Sequence, residues 1–136
     1  MTAPDAPERT LAAARIVLDR KEAFGNASWH RSSALLARQA LEAGIDRFWQ
    51  AQSLEMRGVP RKRQLICLPW YLEDAAAARQ VHETWAGLSN ACHHHAYDLA
   101  PTAVELRAWF NDVAKALRLL DQSRAAEARP RREGAA

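Results

Sequence analysis

Residues 100–120 read APTAVELRAWFNDVAKALRLL, and they decide what kind of fold the chain can have. Thr102 with Glu105 three residues later is a capping box, in which side-chain oxygens satisfy backbone N–H groups that a first helical turn leaves open. Pro101 belongs near that turn, where its fixed φ suits a helix and its missing N–H is not needed. Leu106, Phe110, Val113, Leu117 and Leu120 then recur at steps of four, three, four and three. That spacing lines one side of a helix with apolar groups, whereas in a strand it would scatter them over both faces. Such a stripe needs other helices to cover it.

The rest of the chain supplies them. Residues 73–95, EDAAAARQVHETWAGLSNACHHH, repeat the pattern with Val81, Trp85, Leu88, Cys92 and His95. Residues 28–58 predict a long helix, with Ser28 as N-cap, Gly58 to Pro60 as its end, and Trp29, Ser33, Leu36, Ala40, Leu41, Ile45, Phe48 and Gln52 near one stripe. Residues 8–24 are helix formers throughout, stopped by Gly25-Asn26. Between them, RKRQLICLPWYL at 61–72 predicts a short helix that ends before Pro69, because the residue preceding a proline resists the α conformation. Arg61, Lys62 and Arg63 are expected on its exposed edge. β-branched residues are few and nowhere alternate, so no strand is expected. The expected architecture is all-α, an up-and-down bundle of four main helices plus a short extra one. It forms a single domain over residues 8–122, with a disordered leader at 1–7 and a disordered arginine-rich tail at 123–136 that carries Arg129, Arg131 and Arg132.

Composition agrees with one compact domain: of 136 residues, 49% are hydrophobic and 26% charged. No apolar run approaches the roughly 18 uncharged residues of a membrane span, and residues 1–9 lack the pattern of a secretory signal, so no membrane association and a cytoplasmic location are expected. Cys67 and Cys92 make no disulfide framework and are expected as buried free thiols. The net charge of +3 permits an anionic partner without demanding one. No Gly-rich phosphate loop, nucleophile elbow or helically spaced carboxylate pair is present. Tryptophans 29, 49, 70, 85 and 109 are expected as core or interface anchors rather than stacking platforms.

The chemistry-bearing stretch is SNACHHHAY, residues 89–97. The helix is expected to run through His95, so that Asn90 and His94 share a face and His95 lies about 100° further round, on the apolar seam with Cys92. Zinc needs converging ligands, and three successive helical side chains diverge, so neither a metal nor a cofactor is expected. The plain structural reading makes His95 a partly buried, hydrogen-bonded ring and leaves His93 and His94 solvated near a helix end.

Two places together resemble the HEPN superfamily (higher eukaryotes and prokaryotes nucleotide-binding domains). The run Gln39, Ala40, Leu41, Glu42 inside the long second helix is similar to the family's Gln-Ala-hydrophobic-Glu run. His95-Ala96-Tyr97, just before the last helix, is similar to the end of its Arg-x4–6-His motif. The matches cover about half the chain. The resemblance implies a homodimer whose two motifs meet in a cleft and cut RNA without metal, through attack by the ribose 2′-hydroxyl, in a toxin–antitoxin or defence setting. It implies His94 or His95 as acid/base, with Asn90 orienting and Tyr97 assisting. The family arginine is absent: counting back from His95 gives Asn90, and from His94 gives Ser89. Arg61, Lys62, Arg63 and Arg79 are the cations expected to hold phosphate in its place. The alternative is a noncatalytic HEPN-like module that dimerises and binds a nucleotide, RNA or a cognate protein partner.

Overall fold

The computed structural model describes residues 6–20, 29–93 and 101–128. Among these residues every regular element is helical: α1 (Ala6–Asp19), α2 (Trp29–Ala51), α3 (Arg61–Cys67), α4 (Pro69–Leu72), α5 (Ala75–Cys92) and α6 (Ala103–Ala128). α1 and α6 both pack along α2, α5 closes against α2 and α6, and the short α3 and α4 sit on α5.

α6 starts where its capping signal says. Thr102 Oγ1 accepts the Glu105 N–H at 3.1 Å, while Pro101 stands just before the cap. Leu106, Phe110, Val113, Leu117 and Leu120 are all buried, and the helix runs on to Ala128, past the expected boundary at Ser123. Two glycines let α6 come close. A Cβ on Gly44 would overlap Leu117, and one on Gly87 would overlap the Trp109 indole, so each glycine is a seat for an α6 side chain. Burying a side chain such as Phe110 is worth roughly 1.5–3 kcal/mol, and the stripe repeats that gain over four turns. At the rim, the Arg47 guanidinium lies 2.8 Å from Glu8 and 3.0 Å from the Asp121 carboxylate, which ties α1, α2 and α6 together.

α2 buries Ser33, Ala40, Leu41, Ile45 and Phe48 as its stripe requires, with Trp29, Leu36 and Gln52 half-buried and Trp49 buried as well. It ends earlier than expected, at Ala51 rather than near Gly58. Ser53 takes the left-handed φ of 56°, its N–H reaches Gln50 O at 3.0 Å, and the Leu54 N–H reaches Trp49 O at 3.2 Å. This is a Schellman closure with serine in the place that glycine usually holds. It satisfies the helix's last carbonyls well before the Gly58 signal is reached.

The expected single short helix is two pieces. α3 ends at Cys67, as Pro69 predicts, yet Leu68 keeps right-handed α angles (φ −54°, ψ −39°) and Pro69 opens α4. The Tyr71 and Leu72 N–H groups bond Leu68 O at 3.0 and 2.9 Å, so the path stays helical across the proline. Leu65, Leu68 and Leu72 face the core. Cys67 falls on the opposite side and is exposed, against the expectation that both thiols are buried; only Cys92 is.

α5 is N-capped by Asp74, whose carboxylate accepts the Ala77 N–H at 3.0 Å. Val81, Leu88 and Cys92 are buried along it and Trp85 is half-buried. The helix stops at Cys92: His93 has left the helical region (φ −98°, ψ 37°), and its N–H closes onto Ser89 O and Asn90 O. α5 therefore ends at Cys92, short of the end at His95 expected for it. His94, His95 and Tyr97 lie outside the described residues, as do the expected cap at Ser28, the stop at Gly25-Asn26, the start of the leader and the tail arginines. Among the described residues no helix is long and apolar enough to cross a membrane.

Candidate functional site

The C-terminal end of α5 precedes the histidine run, and α2 packs against that helix. An α-helix leaves its last carbonyls without intrahelical partners. One of them, Cys92 O, accepts a hydrogen bond from Arg31 Nε at 3.3 Å. Arg31 is the third residue of α2 and otherwise exposed, so its remaining guanidinium donors stand at the point where α5 gives way to His93. Asn90 is exposed on the last turn, one residue beyond the buried Ser89 hydroxyl.

Arg38 lies seven residues along α2, on the same face. Its guanidinium is 5.7 Å from the centre of the Trp85 ring, and its Nε is 3.4 Å from Glu42 Oε1, close enough for an ion pair but not aligned for a hydrogen bond. Arg38 Nε, the Trp85 indole N–H and Ser89 Oγ are buried polar atoms without a hydrogen-bond partner. Unpaired buried donors are costly, and here two or more belong to one α2–α5 seam. Burial pushes the Cys92 thiol up, against the pull of the nearby Arg38 and Arg31 charges. Cys92 is thus a packed thiol whose charged form is disfavoured.

Glu42 continues the line. It meets Arg61 Nε at 3.3 Å, while Arg61 Nη1 reaches Asp46 at 2.6 Å and Gln64 Oε1 at 2.8 Å. Gln64 is buried and donates to Val59 O at 2.8 Å. Burial opposes the Arg61 charge, but the hydrogen bond to Asp46 and the charges of Asp46 and Glu42 outweigh it and raise the guanidinium above its ordinary value. The expectation of an exposed Arg61 therefore fails, since the residue is half-buried and held by two carboxylates from α2. An open groove of about 470 Å³ beside this network is lined by Asp46, Trp49, Met56, Arg61 and Gln64, and among the described residues no histidine lines it.

The other expected cations fare differently. Lys62, Arg63 and Arg79 are exposed, and among the described residues none has an ion-pair partner. Arg79 belongs to α5, more than three turns from the Cys92 end. Arg31 and Arg38 were not singled out by sequence. The available signal was their spacing with Glu42 and Asp46, which puts four charges on one face of a helix otherwise read for its apolar stripe. Among the described residues no three His, Cys, Asp or Glu side chains come together as they would around a metal ion.

Comparison with family models, curated proteins and solved structures finds no match to this chain.

Proposed function

We propose that the chain is a HEPN-like module of the toxin–antitoxin or defence kind, a cytoplasmic homodimer that acts on RNA and cleaves it without a metal. The observation that carries the reading is the 3.3 Å bond from Arg31 to the Cys92 carbonyl, which fixes a cation at the helix end leading into the histidine run. This supplies from α2 the charge that the family motif would otherwise bring from within α5. The all-helical architecture, with four long helices and the Gln39–Glu42 run inside α2, is consistent with the same family.

In this reading one histidine of the pair His94 and His95 takes the proton from the ribose 2′-hydroxyl as its oxygen bonds to the adjacent phosphorus. The phosphorus–oxygen bond to the next nucleoside breaks, and its 5′-oxygen leaves with a proton from the partner subunit's acid, giving a cyclic phosphate end. Charge builds on the non-bridging phosphate oxygens as this happens, and a fixed guanidinium there is worth most because it needs no reorganisation. Asn90 orients and Tyr97 assists.

A second reading, a noncatalytic module that binds RNA, a nucleotide or a cognate protein, is favoured by one observation: Arg61, one of the cations expected to hold phosphate, is paired with Glu42 and Asp46 of α2. The two readings separate in one assay. Purified protein in EDTA is incubated with single-stranded RNA, and its mass is measured by sedimentation. Cleavage by a dimer that is lost in His95→Ala supports the enzyme; a dimer that binds without cleaving supports the second reading; a strict monomer contradicts both.

A further inference from the structure

We infer that the outward face of α3 and α4 is a platform for single-stranded RNA, on which Trp70 stacks a base while Lys62 and Arg63 hold flanking phosphates. Trp70 is 84% exposed, whereas Trp49 is buried and Trp29, Trp85 and Trp109 pack against the core. An indole left in water forgoes the burial that normally accounts for a tryptophan. Ile66, one turn earlier, is 58% exposed and extends the apolar surface. The platform is stiff. Leu65, Leu68 and Leu72 anchor its inner side, the Tyr71 ring meets the Trp49 ring edge-on at 5.3 Å, and Pro69 fixes the backbone beside Trp70.

Charge selects the occupant. Lys62 and Arg63 precede Ile66 by four and three residues, so they flank the apolar strip on the same side of α3, and neither is paired among the described residues. Exposed Glu73 stands at the other end, which directs a polyanion toward Lys62 and Arg63. A second copy docked head to tail on this face would set its Glu73 against Lys62 and Arg63, an outcome that sedimentation reads. A polyanion with flat apolar units suits the face, and the net charge of +3 favours its approach. Bases offer their faces only when unstacked, so a single strand fits and a duplex does not.

The proposal rests on the reading above only for RNA as the polymer. Its test uses the full chain and a 2′-O-methyl RNA of about 12 nucleotides, which lacks the attacking hydroxyl and so reports binding alone. Anisotropy is measured for this strand and for its duplex. Trp70→Ala should weaken single-strand binding roughly tenfold, in line with base–aromatic stacking, and Trp70→Phe by less. Duplex binding should be weaker and indifferent to both. Lys62→Ala with Arg63→Ala should lower the slope of affinity against salt by about one to two. Unchanged single-strand binding in Trp70→Ala overturns the proposal, as does a change in its sedimenting species without RNA, which would make the face a protein interface. Cleavage of unmodified RNA is scored separately. Platform binding without cleavage would sink the nuclease and leave the platform standing; cleavage with Trp70-independent binding would do the reverse.

Discussion

Arg61 and Arg63 sit two residues apart in one basic run, yet they live in opposite environments. Arg61 is locked between Glu42 and Asp46, nineteen and fifteen residues upstream on α2, and supports the buried Gln64. Arg63, about 200° further round a short helix, faces solvent with Lys62 and shares its side with Ile66 and Trp70. The difference teaches that a run of charges says little about its use until the facing helix is known. Compensated charge builds the fold; uncompensated charge beside an exposed indole is available to a ligand.

Six substitutions and one reactivity contrast can break or sharpen that division. The largest effect belongs to the core side: Phe110→Ala should cost about 3–5 kcal/mol, read as a large fall in Tm, whereas Trp70→Ala on the outer face should stay within about 0.5 kcal/mol. A comparable loss in Trp70→Ala would mean the indole is structural. Next, Arg61→Ala should destabilise by about 1–2 kcal/mol, because it takes their partner from Gln64 Oε1 and Asp46 and leaves Glu42 to Arg38, while solvent screens part of the loss. Arg63→Ala should be neutral by the same denaturant titration; equal values for the two would erase the contrast.

The thiols extend the comparison to reactivity. Exposed Cys67 should react with a disulfide reagent quickly and Cys92 slowly, the difference vanishing on unfolding. Because burial raises the Cys92 thiol, the folded chain holds that proton more tightly than the unfolded one. Its effect on stability is absent well below the ordinary cysteine value of about 8.5 and appears as a loss when the pH rises past it. Cys92→Ala should flatten that alkaline slope, and an unaltered slope would remove Cys92 as its source. The smallest expected change is a gain: Ser53→Gly should relieve the left-handed φ of 56° and stabilise the end of α2 by about 0.5–1 kcal/mol. No gain would mean that the Schellman closure is not strained.

Much of the fold was legible because periodicity is a local property. The α6 stripe and its Thr102 cap, the α5 seam and most of the α2 stripe follow from spacing alone. Helix ends were less legible where two signals compete: at α2 the Ser53 closure pre-empts Gly58, and at Pro69 the chain remains helical although proline discourages it. The site was legible only as a list of residue types. Arg61 reads as free until Glu42 and Asp46 are brought opposite it, and Arg31 reads as an ordinary helix residue until α5 ends beneath it. Both depend on contacts between residues far apart in the chain, which no local spacing encodes. Trp70 could not be separated from the other four tryptophans for the same reason.

The central claim is that Arg31 is the cation serving the histidines after α5. Its most direct test is kcat and KM for cleavage of single-stranded RNA in EDTA by the wild type, Arg31→Ala and Arg63→Ala. The account predicts that Arg31→Ala lowers kcat by about a hundredfold or more with KM little changed, while Arg63→Ala raises KM and leaves kcat alone. Wild-type protein that does not cleave, or Arg31→Ala that cleaves at the wild-type rate, would contradict it.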